Sequence, residues 1–217
     1  MFNEISNEAR DAISNEVNLK RYHKGEYIFK SDDPATVMYV VKTGAMKITM
    51  NLSDGREQIL YIYKNGDFVG GLNLLTSDHY VYNGVALIET SVITINKAAF
   101  DEHLMNDNNF LRAMLVESYS RIRKSEDLID RLSVINGDMK VAKGIIDLIK
   151  THGSRSINGN WIVNPNLTRT EMGSFTGLAR ETLTRKLAYF QDIGLIKLLP
   201  KGGIEILNLD GLFELTI

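Results

Sequence analysis

Arg180, Glu181, Thr184 and Arg185 stand within six residues of one another in a chain of 217. An arginine can fork two hydrogen bonds onto O6 and N7 of guanine, and a glutamate can accept from the cytosine amino group. On a helix, positions 180 and 184, and 181 and 185, are each one turn apart, so the four side chains share a face. Such a face can read the edges of G and C base pairs. A plainer reading competes with it: a solvated helix surface on which Glu181 and Arg185 form an ordinary i, i+4 ion pair.

The surrounding residues are the kind that would present this face. Thr168 and Glu171 have the spacing of a reciprocal capping box, which predicts a helix beginning near Arg169. Gly177 falls where the chain must turn sharply, and Gly173 allows two helices to cross closely. Leu183, Leu187 and Phe190 follow i, i+4, i+7 and form the stripe to be buried. Together these predict a helix-turn-helix that offers the start of its second helix to the major groove of DNA. Residues 197–206, Lys-Leu-Leu-Pro-Lys-Gly-Gly-Ile-Glu-Ile, alternate and turn like a small hairpin, a wing that would carry Lys201 to a phosphate. Thr168, Arg169 and Lys186 are further phosphate candidates. Each is also open to a reading as an ordinary surface side chain, which is preferred for Lys197. Phosphate contacts set affinity and salt dependence rather than sequence choice.

At these residues the sequence resembles the CRP/FNR family of bacterial transcription regulators, whose recognition-helix signature looks like Arg180-Glu181-Thr182 followed by Arg185. The resemblance implies that Arg180 and Arg185 contact guanines and Glu181 a cytosine in a TGTGA-like half-site. One departure is Ala179, where the family usually has a hydroxyl-bearing cap. Losing such a cap typically costs about 1 kcal/mol.

The first hundred residues read as short strands: Tyr27–Phe29, Val37–Val41, Met46–Met50, Gln58–Tyr63 and Ser91–Ile95, separated by glycine turns. This spacing predicts an antiparallel sandwich or barrel. It is similar to the cyclic-nucleotide-binding β-roll, with Gly44, Gly55, Gly66 and Gly70 at its turns. In cyclic-AMP-responsive members a glutamate binds the ribose and an arginine neutralises the cyclic phosphate. Here Gly71 stands at the glutamate position, Val81 or a neighbour at the arginine position, and no Arg occurs between Arg56 and Arg112. Burying a phosphate without a cation is costly, so the sequence argues against a cyclic nucleotide. Gly70, Gly71, Leu72, Tyr80, Tyr82 and Asn83 are candidates to line a pocket for some other, unidentified small-molecule effector. A filled, effector-free roll is the alternative.

Between these parts, Leu111, Leu115, Ser118, Ile122, Ser125, Ile129, Leu132 and Asn136 alternate steps of four and three, the pattern of a coiled-coil seam. They predict a dimerisation helix over 109–136, which a palindromic site would require; the alternative is a helix packed on its own roll. Gly137 and Asp138 are expected to break it as a hinge. Residues 139–150 should then turn Val141, Ile145, Ile146 and Ile149 to a second core.

Composition sets the outer limits. Hydrophobic residues make up 44% and charged residues 24%, as in globular chains. Residues 138–217 carry a net charge of +2 and residues 1–137 a net charge of −4, so the chain is no polycation. Zero cysteines exclude disulfides, thiolate zinc sites and cysteine-ligated clusters. The four histidines are scattered, so no metal, no cofactor and no enzyme activity is expected. No apolar run approaches the ~20 residues of a membrane helix, and Met1-Phe2-Asn3-Glu4 lacks a basic leader, which points to the cytoplasm. The expected architecture is α+β: an antiparallel β-roll (1–108), a dimerisation helix and hinge (109–137) and a winged helix-turn-helix (138–217). Its expected partners are double-stranded DNA and a second copy of the chain. RNA polymerase would join them if binding activates transcription. The competing function is a β-roll ligand-binding module that acts through protein–protein contacts.

Overall fold

The computed structural model describes residues 5–76 and 78–217. Met1-Phe2-Asn3-Glu4, the segment expected to lack a leader, and Ser77 lie outside the described residues. The chain divides into two compact units, residues 1–50 with 59–124 and residues 51–58 with 125–217.

In the first unit, α1 (Asn7–Ser14) starts at Ser6, whose hydroxyl accepts from the Ala9 N–H. Two four-stranded antiparallel sheets follow. One has the order β1 (Asn18–Tyr22), β8 (Thr90–Asn96), β3 (Val37–Thr43), β6 (Phe68–Val69). The other has the order β2 (Tyr27–Phe29), β7 (Asn83–Ala86), β4 (Ala45–Asn51), β5 (Glu57–Lys64). All five expected strands form. β1, β6 and β7 were not foreseen: β1 is a polar, largely exposed edge strand, β6 has two residues, and β7 (Asn-Gly-Val-Ala) has little intrinsic strand preference. Pairing and burial override propensity there. Met38, Val40, Phe68, Leu74, Ile95 and Phe100 are among the residues that build the core. α2 (Gly71–Thr76), α3 (Lys97–Ala99) and a π-helical turn (Phe100–Leu104) cover parts of it.

α4 (Asn108–Ser133) begins where Asp107 accepts hydrogen bonds from the N–H groups of Phe110 and Ser6, at 2.9 and 2.8 Å. Hydrogen bonds from Ser6 and then Phe110 hold the Asp107 carboxyl below the usual carboxylate range. Phe110 and Met114 enter the roll core, and Arg121 lies over the Phe68 and Tyr63 rings while donating to the Phe68 carbonyl. The expected seam is therefore divided. Leu111 packs on the roll, Ser118 donates to the Met114 carbonyl, and Leu132 is partly buried. Leu115, Ile122 and Ile129 stay exposed together with Val116 and Tyr119, from 58% (Ile122) to 72% (Leu115).

The helix break also differs from expectation. α4 stops at Ser133, and Asn136, expected in the seam, instead caps α5 (Gly137–His152) by accepting from the Asp138 N–H at 2.8 Å. Residues 134–136 make the break, and Gly137 is already helical.

In the second unit, Val141, Ile145, Ile146 and Ile149 are buried as expected. A four-stranded antiparallel sheet has the order β11 (Ile196–Leu198), β12 (Ile204–Ile206), β10 (Trp161–Val163), β9 (Gly153–Arg155). It shares the unit with α6 (Arg169–Thr176), α7 (Arg180–Asp192) and α8 (Leu209–Glu214). Val163, Met172, Leu183, Leu187, Phe190 and Ile204 are all within 1% of complete burial.

Candidate nucleic-acid interface

Local sequence chemistry accounts for how α6 and α7 are held. The capping box closes in both directions: Thr168 Oγ1 accepts from the Glu171 N–H, and the Glu171 carboxylate accepts from the Thr168 N–H. Gly177 ends α6 in the left-handed region, at φ 72°, which costs an L-residue about 1–2 kcal/mol. Gly173 has to be bare, because a Cβ there would lie 2.7 Å from the Leu178 carbonyl oxygen. Behind the pair, a Cβ on Gly144 of α5 would lie 2.7 Å from Thr176 Cγ2, so α5 and α6 approach just as closely.

Leu183, Leu187 and Phe190 turn fully inward, which leaves Arg180, Glu181, Thr184 and Arg185 exposed on the first two turns of α7. Among the described residues, no ion pair or side-chain hydrogen bond engages Arg180, Glu181 or Arg185. The Glu181–Arg185 pair of the plainer reading is not made. Thr184 donates its hydroxyl to the Arg180 carbonyl at 2.8 Å, so it can offer a base edge only acceptor lone pairs or its methyl group. Ala179 has the extended backbone of a helix cap but no side chain to cap with.

The phosphate candidates are treated unequally. Lys201 is exposed at the turn between β11 and β12, itself at φ 58°. The Thr168 hydroxyl is occupied by Glu171, to which it also donates at 2.9 Å. Arg169 is partly buried beside Met172, and burial lowers its pKa. Lys186 is only partly exposed, and its ammonium is engaged 2.8 Å from Asp138 Oδ2 on α5.

The sequence reading missed a second support. Arg131, in the last turn of α4, is 2% exposed and stacks 4.0 Å above the Phe175 ring of α6. It donates to Asp147 of α5 at 2.5 Å. Burial raises the Asp147 carboxyl's pKa, and Arg131 opposes that rise.

In the roll, the candidate pocket residues stand in unlike surroundings. Tyr80 is buried, with its ring 4.3 Å from Phe29 and its hydroxyl donating to the Val37 carbonyl at 2.5 Å. Asn83 accepts from the Ser31 N–H, Leu72 packs on the core, and Tyr82 is exposed. Gly70, at φ 90°, has no room for a Cβ beside the Val37 carbonyl. A Cβ on Gly71 would lie 2.9 Å from Met38 Sδ and 3.2 Å from the Phe68 ring, so packing leaves no space there for a ribose-binding glutamate. Residues 66–83 contain no Lys or Arg to meet a phosphate. These residues do not fit a cyclic nucleotide. Among the described residues, no three His, Asp or Glu come together as metal ligands, and no helix is long and apolar enough to cross a membrane.

Comparison with known proteins agrees with both halves. Residues 19–107 match the cyclic nucleotide-binding domain, and residues 139–215 match the Crp-like helix-turn-helix domain. The chain is 32% identical over 175 residues to the transcriptional activator protein Anr of Pseudomonas aeruginosa, covering 80% of this chain and 70% of that protein. It is 28% identical over 207 residues to the fumarate and nitrate reduction regulatory protein of Escherichia coli, covering 95% and 82%. Among solved structures, FixK2 from Bradyrhizobium japonicum superposes with a TM-score of 0.79 at 25% identity, covering 93% of this chain and 98% of that one. The two curated relatives are named as regulators rather than enzymes. With its sheet-rich N-terminal unit and C-terminal helix-turn-helix, the chain belongs to the CRP/FNR family of transcription regulators.

Proposed function

We propose that this regulator binds DNA as a homodimer and reads a near-palindromic, TGTGA-like site with Arg180, Glu181 and Arg185. The observation that carries the reading is the exposed Arg180, Glu181 and Arg185 at the start of α7, without a side-chain partner among the described residues, on a helix held in place by Gly177 and a buried stripe. Arg180 and Arg185 each fork onto a guanine, Glu181 accepts from a cytosine, and Thr184 supplies a further contact. Lys201 on the wing and Thr168 and Arg169 at the start of α6 lie nearest the backbone, where a helix N-terminus favours phosphate. The exposed apolar row Leu115, Tyr119, Ile122 and Ile129 on α4 supplies the two-fold seam, with Leu111 and Leu132 backing it from the packed side. Half-sites then lie about one helical turn apart, ~34 Å centre to centre. The roll either responds to a small molecule other than cyclic AMP or is effector-free. The working compartment is the cytoplasm, and RNA polymerase is a partner where binding activates.

Selection of bound duplexes from random DNA by the full chain tests the proposal. Enrichment of an inverted repeat with G·C pairs at fixed positions in each half supports it. Recovery of sequences without symmetry or base preference would overturn it.

A further inference from the structure

We infer that Lys186 is a positioning residue for the reading helix and not a phosphate contact, an inference that rests on the DNA reading above. Its ammonium is hydrogen-bonded to Asp138 Oδ2 at 2.8 Å, 48 residues upstream. Its stem passes the start of α5, where a Cβ on Gly137 would lie 3.5 Å from Lys186 Cε. Asp138 is fixed in turn, since its N–H is taken by the Asn136 cap. The pair ties the middle of α7 to the first turn of α5.

The apolar stripe cannot fix this relationship alone. Leu183, Leu187 and Phe190 hold α7 down, but hydrophobic burial is non-directional and tolerates small rotations. An ion pair with a hydrogen bond has a direction. Both partners are two-thirds or more buried, at 33% and 24% side-chain exposure, so the pair is screened less than a surface bridge. Asp138 Oδ1 is buried with no partner among the described residues. Without Lys186, neither carboxylate oxygen would be satisfied. Lys186 directly follows Arg185, and at 1.5 Å rise per residue it lies about 9 Å along the axis from Arg180. A rotation allowed at Lys186 is therefore passed to the arginine forks, whose two bonds to one guanine require orientation as well as distance.

The test uses the full chain as wild type, Lys186→Gln, Lys186→Arg, Asp138→Asn and the Lys186→Gln/Asp138→Asn double variant. Each is titrated over a salt series with a duplex enriched by the wild type and with a scrambled duplex of the same composition. Lys186→Gln and Asp138→Asn should each weaken the enriched duplex about threefold to tenfold, as expected for a partly buried, hydrogen-bonded pair. The double variant should be no worse than either single one. Binding to the scrambled duplex and the salt slope should stay at wild-type values, and Lys186→Arg should restore discrimination. A phosphate-contacting lysine predicts the reverse. Lys186→Gln would then weaken both duplexes alike and flatten the salt slope by about 0.9 per copy. Asp138→Asn, by releasing the ammonium, would tighten both. That pattern would overturn the inference while leaving the DNA reading intact. A wild type that enriches no sequence would overturn the DNA reading, and the inference with it.

Discussion

The start of α7 and the stretch from Gly66 to Asn83 both carry side chains able to bind something, and the fold uses them in opposite ways. On α7 the apolar residues face inward and leave two arginines and a glutamate without side-chain partners among the described residues. In the roll, Tyr80 packs tilted against Phe29 and donates to the Val37 carbonyl, Asn83 accepts from the Ser31 N–H, and Gly71 has no room for a side chain. Residue type proposes a binding site in both places. What separates them is whether packing has already consumed the groups. At the start of α7 the charged groups stay exposed, whereas in the roll Tyr80, Asn83 and Gly71 are taken up by packing and hydrogen bonds.

Three substitutions sharpen that contrast or break it. The largest effect is expected at Tyr80→Ala, which removes a 4%-exposed ring from the Phe29–Tyr39–Tyr80 cluster. Denaturant unfolding should show a loss of about 3–5 kcal/mol, the usual cost of emptying an aromatic core site. A loss below about 1 kcal/mol would mean that the ring lines an open pocket. Next is Gly177→Ala, which forces an alanine to φ 72° with its Cβ 2.9 Å from Leu132 Cδ2. It should destabilise the second unit by about 1–2 kcal/mol and weaken DNA binding. Unchanged stability would remove the turn from the account of how α7 is aimed. Smallest is a gain. Ala179→Ser supplies a cap where the backbone is already extended, at φ −65° and ψ 148°, and should raise stability by about 0.5–1 kcal/mol in thermal unfolding. No change would mean that the first turn of α7 needs no cap.

The helix-turn-helix that carries the candidate interface was more legible in the sequence than the rest because its signals are local. A capping box spans four residues, and a left-handed glycine and an i, i+4, i+7 stripe also act over one or two helical turns. The supports of the interface are not local. Lys186 finds Asp138 across 48 residues, and Arg131 meets Asp147 and Phe175 on two other helices. A lone charge in a sequence does not announce its partner. The expected seam row was divided for a different reason. Steps of four and three fit two adjoining rows, and the sequence cannot say which one its own roll will claim. Leu111 and Ser118 went inward, while Leu115 and Ile122 stayed outside, joined by Tyr119, which no seam position had included. Asn136 was read as a seam residue because its spacing fits, yet an asparagine before Gly-Asp is also a helix cap, and capping prevailed.

The central claim, that Arg180 reads a guanine through a two-bond fork, can be tested with one altered atom on each side. Wild type and Arg180→Ala are titrated with the enriched duplex and with the same duplex carrying 7-deazaguanine, which lacks N7, at one half-site guanine at a time. At one position the modification should cost wild type about 1 kcal/mol or more and cost Arg180→Ala almost nothing. If the two losses add independently at every guanine, Arg180 does not read one, and the account of the interface is contradicted.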